Sequence, residues 1–155
     1  MKDEDSNKRG MKRTGRNAAS EGFTQEEREA MKARTEEIRK AHSGRSDGES
    51  DVLKCISTMS GPDRTMAERI HKLIKESGNG LVARTWYGMP AYGRNGDVVC
   101  FFQPAAKFKS RYATIGFSDR ARLDDGSMWP VAFALKELGT AEERSIIELL
   151  RKALR

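Results

Sequence analysis

The sequence predicts an α+β domain in which a curved antiparallel sheet packs, as one of two layers, against N-terminal and C-terminal helices. Three segments carry the β-branched and aromatic residues typical of buried strands: residues 85–92, 97–103 and 111–117. Apolar residues at helical spacing lie on both sides of these segments, over 52–74 and 146–154. Helices that precede and follow a run of antiparallel strands are expected to cover one face of the sheet.

Composition places the folded part of the chain in its last two thirds. Of the 155 residues, 37% are apolar and 34% are charged, which is polar for a chain that is folded throughout. Residues 1–50 hold 12 Lys and Arg against 11 Asp and Glu, and totals of 29 and 23 leave 17 against 12 for residues 51–155. The predicted domain, residues 51–155, therefore carries most of the net positive charge.

The segment before the domain divides into three parts. Residues 1–22 have almost no large apolar side chain and are predicted to form a disordered basic and polar tail, since burial would not offset the entropy of ordering them. Residues 23–42 are predicted to form a charged helix. Residues 43–50 have the composition of a linker.

The charged helix has a clear start and a narrow apolar stripe. Thr24 and Glu27 have the spacing of a capping box, in which each side chain accepts a hydrogen bond from the backbone of the other residue. After Phe23, the only large apolar residues are Met31 and Ile38. The helix is therefore expected to be solvated or to dock only on a partner.

Start and stop signals mark three helices within the domain. Ser50 or Asp51 is predicted to cap the first. Pro62 stands at a first-turn position of the second, and Gly78 is placed to end it. Residues 140–143 repeat the capping-box pattern and open the terminal helix.

Turn residues divide the predicted sheet. The segment 85–92 is interpreted as one strand that bends sharply from Gly88 to Pro90 and then resumes. The Asn95-Gly96 pair predicts a tight hairpin to the next strand, and residues 104–110 predict a wider one. Residues 131–138 fit either a final strand or a helical turn.

Several classes of protein lack support in the sequence. No apolar run approaches the roughly 20 residues of a membrane span, and no secretory signal is recognisable, so a cytoplasmic protein is expected. Cys55 and Cys100 are predicted to be buried thiols. His42 and His71 have no second ligand at a zinc-binding spacing. Because no acid, base and nucleophile can be placed together, the chain is predicted not to be an enzyme.

The motifs of the predicted sheet resemble those of the YdhG-like family, small bacterial domains of unknown function, some of which are described as frataxin-like iron chaperones. The resemblance covers about residues 51–155. It depends on residues 86–92 (Trp-Tyr-Gly-Met-Pro-Ala-Tyr), 100–102, 107–108, 112–117 and 123–130. It implies an α+β fold in which a curved antiparallel sheet packs on helices, and it implies no reaction.

The predicted function is a binding module for a small ligand, a peptide or a protein, because aromatic residues beside a bend can form a shallow pocket. The predicted pocket consists of Trp86, Met89, Tyr92 and Trp129, with Lys107 or Lys136 as a partner for an anion.

Two alternative functions are also considered, and each would depend on a different set of residues. An iron-binding chaperone, as the resemblance implies for some members, would use acidic side chains, because hard cations prefer carboxylate oxygens. These are Asp119, Asp124, Asp125, Glu142 and Glu143. Weak nucleic-acid binding would use the basic tail and residues 107–111.

Overall fold

The computed structural model describes residues 22–44, 48–77 and 80–155, and within them it has four helices and five strands. The helices are α1 (Gln25–His42), α2 (Gly48–Ser57), α3 (Gly61–Ser77) and α4 (Thr140–Ala153). The strands are β1 (Val82–Trp86), β2 (Met89–Arg94), β3 (Asp97–Gln103), β4 (Ala113–Phe117) and β5 (Ala132–Leu135). All strand pairs are antiparallel in the order β1-β2-β3-β4-β5, which confirms the predicted α+β class.

The predicted bend is a hairpin, so the interpretation of residues 85–92 as one strand is wrong. Tyr87 and Gly88 form a two-residue turn with φ angles of 52° and 75°, and Trp86 pairs directly with Met89. Two successive left-handed residues reverse the chain in the manner of a type I′ turn, whose twist matches that of the flanking strands. The Asn95-Gly96 hairpin is confirmed, with φ angles of 54° and 83°.

The start of α1 is as predicted, and that of α4 is shifted by one residue. The Thr24 hydroxyl accepts from the Glu27 amide at 3.2 Å, and the Glu27 carboxylate accepts from the Thr24 amide at 2.9 Å. At α4 the N-cap is Gly139 instead of Thr140, and its amide donates to the Glu142 carboxylate at 2.8 Å. Since glycine has no hydroxyl, only half of a capping box forms there.

Two other boundaries differ from the sequence interpretation. Residues 131–138, which fitted a strand or a helical turn, contain the edge strand β5. The helix α2 begins at Gly48, inside the segment predicted to be a linker. A Cβ atom at Gly48 would lie 2.0 Å from the carbonyl oxygen of Ala83, so glycine is what lets the start of α2 approach β1.

The core lies between the sheet and three of the helices. Buried side chains of α2, α3 and α4 form one cluster with inward-facing strand residues such as Phe102 and Ile115. Side chains alternate between the two faces along each strand, so the intervening residues, including Trp86 and Phe101, lie on the other face of the sheet and outside this cluster. Helices therefore cover one face of the sheet, as predicted for a two-layer domain.

The charged helix α1 packs against the domain of its own chain, at the end of the sheet where β1 turns into β2. Ala30 is its only buried residue. The predicted tail lies outside the described residues, except for Gly22, and so does the predicted cap at Gly78.

None of the helices in the described segments is both long and apolar enough to cross a bilayer.

Candidate functional site

Of the residues of the predicted aromatic pocket, the structure brings Trp86 and Met89 together as a cross-strand pair and places Tyr92 and Trp129 at the core cluster instead. Tyr92 is 1% exposed and lies in the core cluster, so it cannot line an open pocket, whereas Met89 is buried beside Trp86 and outside that cluster. Trp129 is half-buried and packs against the core cluster. The Lys107 ammonium donates to the carbonyl oxygen of Gly88 at 2.6 Å. These positions follow from the hairpin, because a type I′ turn aligns β1 and β2 without the hollow that a bent strand would leave.

Trp86 belongs to a chain of ring contacts near the end of the sheet. Its ring centroid lies 5.0 Å from that of Tyr87 and 5.3 Å from that of Phe101. The Phe101 ring lies against Gly116 on the neighbouring strand, where a Cβ atom would come within 2.2 Å of it. Edge-on and tilted ring contacts of this kind stabilise the open face of the sheet.

Tyr92 takes part in a buried chain of polar side chains. Its hydroxyl lies 2.9 Å from Nδ1 of His71, whose Nε2 lies 3.2 Å from the Glu49 carboxylate. The second carboxylate oxygen of Glu49 accepts from Lys75 at 2.7 Å. In the tautomer that carries its proton on Nε2, the ring donates to Glu49 and accepts from the Tyr92 hydroxyl, so each polar group of this chain has a partner.

The electrostatics of this chain favour a structural role. Burial raises the pKa of the Tyr92 hydroxyl far above its usual range and raises the pKa of the neighbouring Cys100 thiol to about 12. The hydrogen bond from Lys75 lowers the pKa of Glu49. Tyr92 and Cys100 therefore stay protonated at neutral pH, and both are closed to solvent.

An open groove of about 710 Å³ runs between α3 and the connection from β5 to α4. Its apolar surface comes from Pro62, Met66 and Leu138. Its polar lining consists of Thr65, Glu68, Arg69, Lys72, Lys136 and Glu137. Of the residues predicted for the binding pocket, Lys136 is the one that lies here.

Some charged side chains of this groove already form ion pairs within the protein, and others do not. Arg69 makes a bidentate ion pair with Glu143, and the Arg69 guanidinium lowers the pKa of that carboxyl. Glu68 accepts from Arg64 at 2.9 Å. The exposed Lys136 has no hydrogen-bond or ion-pair partner among the described side chains. Lys136 is therefore the cation of the groove most available to an anionic ligand.

The acidic residues predicted for iron are spread over two elements. Asp119, Asp124 and Asp125 are exposed in the connection between β4 and β5. Glu142 accepts from the Gly139 amide, and Glu143 is paired with Arg69. Over residues 22–44, 48–77 and 80–155, no three His, Cys, Asp or Glu side chains are grouped so that they could hold a metal ion.

Sequence reasoning missed a second polar site, at the tip of the β1–β2 hairpin. The Glu37 carboxylate accepts from the amides of Tyr87 at 3.0 Å and Gly88 at 2.9 Å. The Gly88 carbonyl accepts from Lys107 and from the Cys55 thiol at 3.2 Å. The available signal was the Tyr-Gly pair between two alternating segments, which fits a two-residue turn.

No family model matches the chain, and no curated protein or solved structure matches it either.

Proposed function

We propose that the chain is a non-enzymatic binding module of YdhG-like type, and that the groove between α3 and the β5–α4 connection takes a small anion with an apolar body. The observation that carries the proposal is that Lys136, which has no ion-pair or hydrogen-bond partner in the part of the chain that the structure describes, lies beside an open apolar surface. An alkyl or aryl carboxylate has the required chemistry, since its chain would cover the apolar surface and its charged group would meet the ammonium.

The size and lining of the groove support this proposal. Small-molecule sites commonly enclose about 300–1,000 Å³ and combine an apolar lining with a few polar groups. The groove of about 710 Å³ falls in this range, and Met66 and Leu138 supply apolar contacts from two different elements. Met66 is 6% exposed and held by the core, so this part of the groove is formed before any ligand binds.

The charges of the groove favour a carboxylate over a cation. Arg69 and Glu68 are each neutralised by a partner outside the groove. Lys72 lies 4.0 Å from Glu76, with both side chains more than 60% exposed, which makes a weak pair. Lys136 and Lys72 therefore outweigh the single further carboxylate, Glu137.

The two free thiols, Cys55 and Cys100, support a cytoplasmic location, because reducing compartments keep cysteines in this state.

Titration calorimetry with octanoate, using octanamide as the uncharged analogue, tests the proposed function. We expect octanoate to bind more tightly than octanamide, and we expect Lys136→Gln to weaken octanoate binding by about 2- to 5-fold without affecting octanamide, as for one exposed charge pair. Lys32→Gln, which removes an exposed lysine from α1, is the matched control and should bind as the wild type does. Equal affinity of the wild type for the two compounds would refute the proposal.

A further inference from the structure

The tip of the β1–β2 hairpin presents two backbone donors to one carboxylate. Tyr87 and Gly88 are both left-handed, and their amides donate to different oxygens of Glu37. Successive amides in such turns form concave anion-binding sites. The Glu37 side chain is only 12% exposed, so its carboxylate sits in this site largely shielded from water.

One cation beside the tip, Lys107, belongs to the domain, and a second, Arg34, comes with α1 itself. Arg34 lies 3.4 Å from the same carboxylate, and its guanidinium is 5.6 Å from the centroid of the Tyr87 ring. The Lys107 ammonium is bound to the carbonyl oxygen of Gly88. The domain therefore holds the carboxylate with two amides and places the Lys107 ammonium beside them at the Gly88 carbonyl, and α1 supplies the carboxylate from a position 50 residues earlier in the chain.

The rest of α1 is held by little apolar contact. Its large apolar side chains, Met31 and Ile38, are 38% and 44% exposed, and Phe23, just before the helix, is 48% exposed. Its other contacts to the domain include ion pairs between Glu26 and Lys109 and between Lys40 and Asp51. The lysine of each pair is more than half exposed, so salt screens both pairs, whereas the Glu37 carboxylate is held by two backbone amides as well.

An open cleft of about 310 Å³ lies between α1 and α2. Ala33, Glu37 and Lys40 line it from α1, and Cys55 lines it from α2. The half-buried Cys55 thiol donates to the carbonyl of Gly88, whereas Cys100 is fully buried in the core. The reactivity of Cys55 therefore reports whether α1 is in place.

We infer that the Tyr87–Gly88 turn is a receptor for a glutamate carboxylate on a helical peptide, and that α1 occupies it through Glu37 in the resting protein. The chemistry of the external ligand is that of the present occupant, a glutamate side chain on a helical segment flanked by basic residues. Such a peptide binds when α1 leaves, and binding exposes the helix face that carries Ala30. This site is independent of the groove at Lys136.

The test measures the rate at which Cys55 of the full-length chain reacts with an aromatic disulfide reagent. Glu37→Gln keeps the size of the side chain but places an amide donor against a backbone donor. We expect it to raise the rate about 10-fold or more, while Glu29→Gln, whose carboxylate accepts from Gln25 on the same helix and lies outside this cleft, reacts as the wild type does. Cys55→Ser should abolish the reaction, since Cys100 is closed to solvent.

A synthetic peptide of residues 22–44 is then added to the Glu37→Gln protein. We expect it to slow the reaction of Cys55 toward the wild-type rate, and we expect the same peptide carrying Gln at position 37 not to do so. An unchanged rate in Glu37→Gln, or equal protection by both peptides or by neither, would overturn the inference. Raising the salt concentration gives a second measurement on the wild type, where faster reaction is expected and an unchanged rate counts against the inference.

Discussion

Tyr92 lies inside the domain because its hydroxyl has a dedicated partner there. Without His71, burying a phenol would leave a polar group unsatisfied at a cost of about 1–3 kcal/mol. The 2.9 Å contact to Nδ1 of His71 removes that cost and draws the ring into the core. The sequence showed an aromatic residue next to a predicted bend, but nothing local linked it to a histidine 21 positions earlier.

Glu49 connects this buried chain to solvent, and its titration gives the first residue-scale prediction. Its folded-state pKa is lowered, chiefly by the hydrogen bond from Lys75, so its contribution to stability is present above the unfolded value of about 4.5. The contribution is lost as the pH falls through the lower folded pKa. Glu49→Gln should therefore reduce the free energy of unfolding at pH 7 by up to about 1 kcal/mol, as for a largely exposed pair.

Urea unfolding of the wild type and Glu49→Gln between pH 7 and pH 3 measures this effect. The two curves of stability against pH should converge below about pH 4.5. Glu68→Gln, which breaks an exposed pair within α3, is the control for a charge outside the buried chain. If the difference in free energy of unfolding between the two proteins stayed constant down to pH 3, the charge of Glu49 would not contribute to stability.

At the scale of elements, the two tight hairpins show which turns can be recognised in a sequence. Asn95-Gly96 was predicted because Asn and Gly both tolerate positive φ angles. Tyr87-Gly88 was missed because tyrosine rarely adopts φ of 52°, and because Pro90 suggested a bend in a continuous strand. The Tyr87-Gly88 turn is stabilised by the Glu37 carboxylate and the Lys107 ammonium. Contacts between residues so far apart in the chain produce no recognisable pattern in the local sequence.

The same two hairpins provide a matched pair of substitutions. Gly88→Ala and Gly96→Ala both place a side chain at a positive φ, which costs about 1–2 kcal/mol. At Gly96 the new Cβ has open space, whereas at Gly88 it would lie 2.5 Å from the Lys107 ammonium. We therefore expect Gly88→Ala to be about 1 kcal/mol more destabilising in urea unfolding, because the lysine hydrogen bond is lost as well. Equal costs would contradict the role given to Lys107.

At the scale of the whole molecule, the layers were predictable and the site was not. Alternating strands between amphipathic helices predicted the α+β arrangement, because one apolar face per element leaves few ways to pack. Lys136 was named from the sequence as an anion partner, but the surface beside it comes from Met66 on α3, which is 70 residues away in the chain. Met66 lies near Lys136 only because α3 packs beside the β5–α4 connection, and this packing cannot be predicted from the local sequence.

The most direct test of the groove as the binding site is a titration of the isotopically labelled, full-length chain with octanoate, followed by amide chemical shifts. We expect saturable shifts over residues 65–72 and 136–138, where α3 and the β5–α4 connection face each other. Octanamide should shift the same amides less at equal concentration. If no saturable shifts were seen, or if they were confined to the hairpin tip at Tyr87 and Gly88, the groove would not be the binding site.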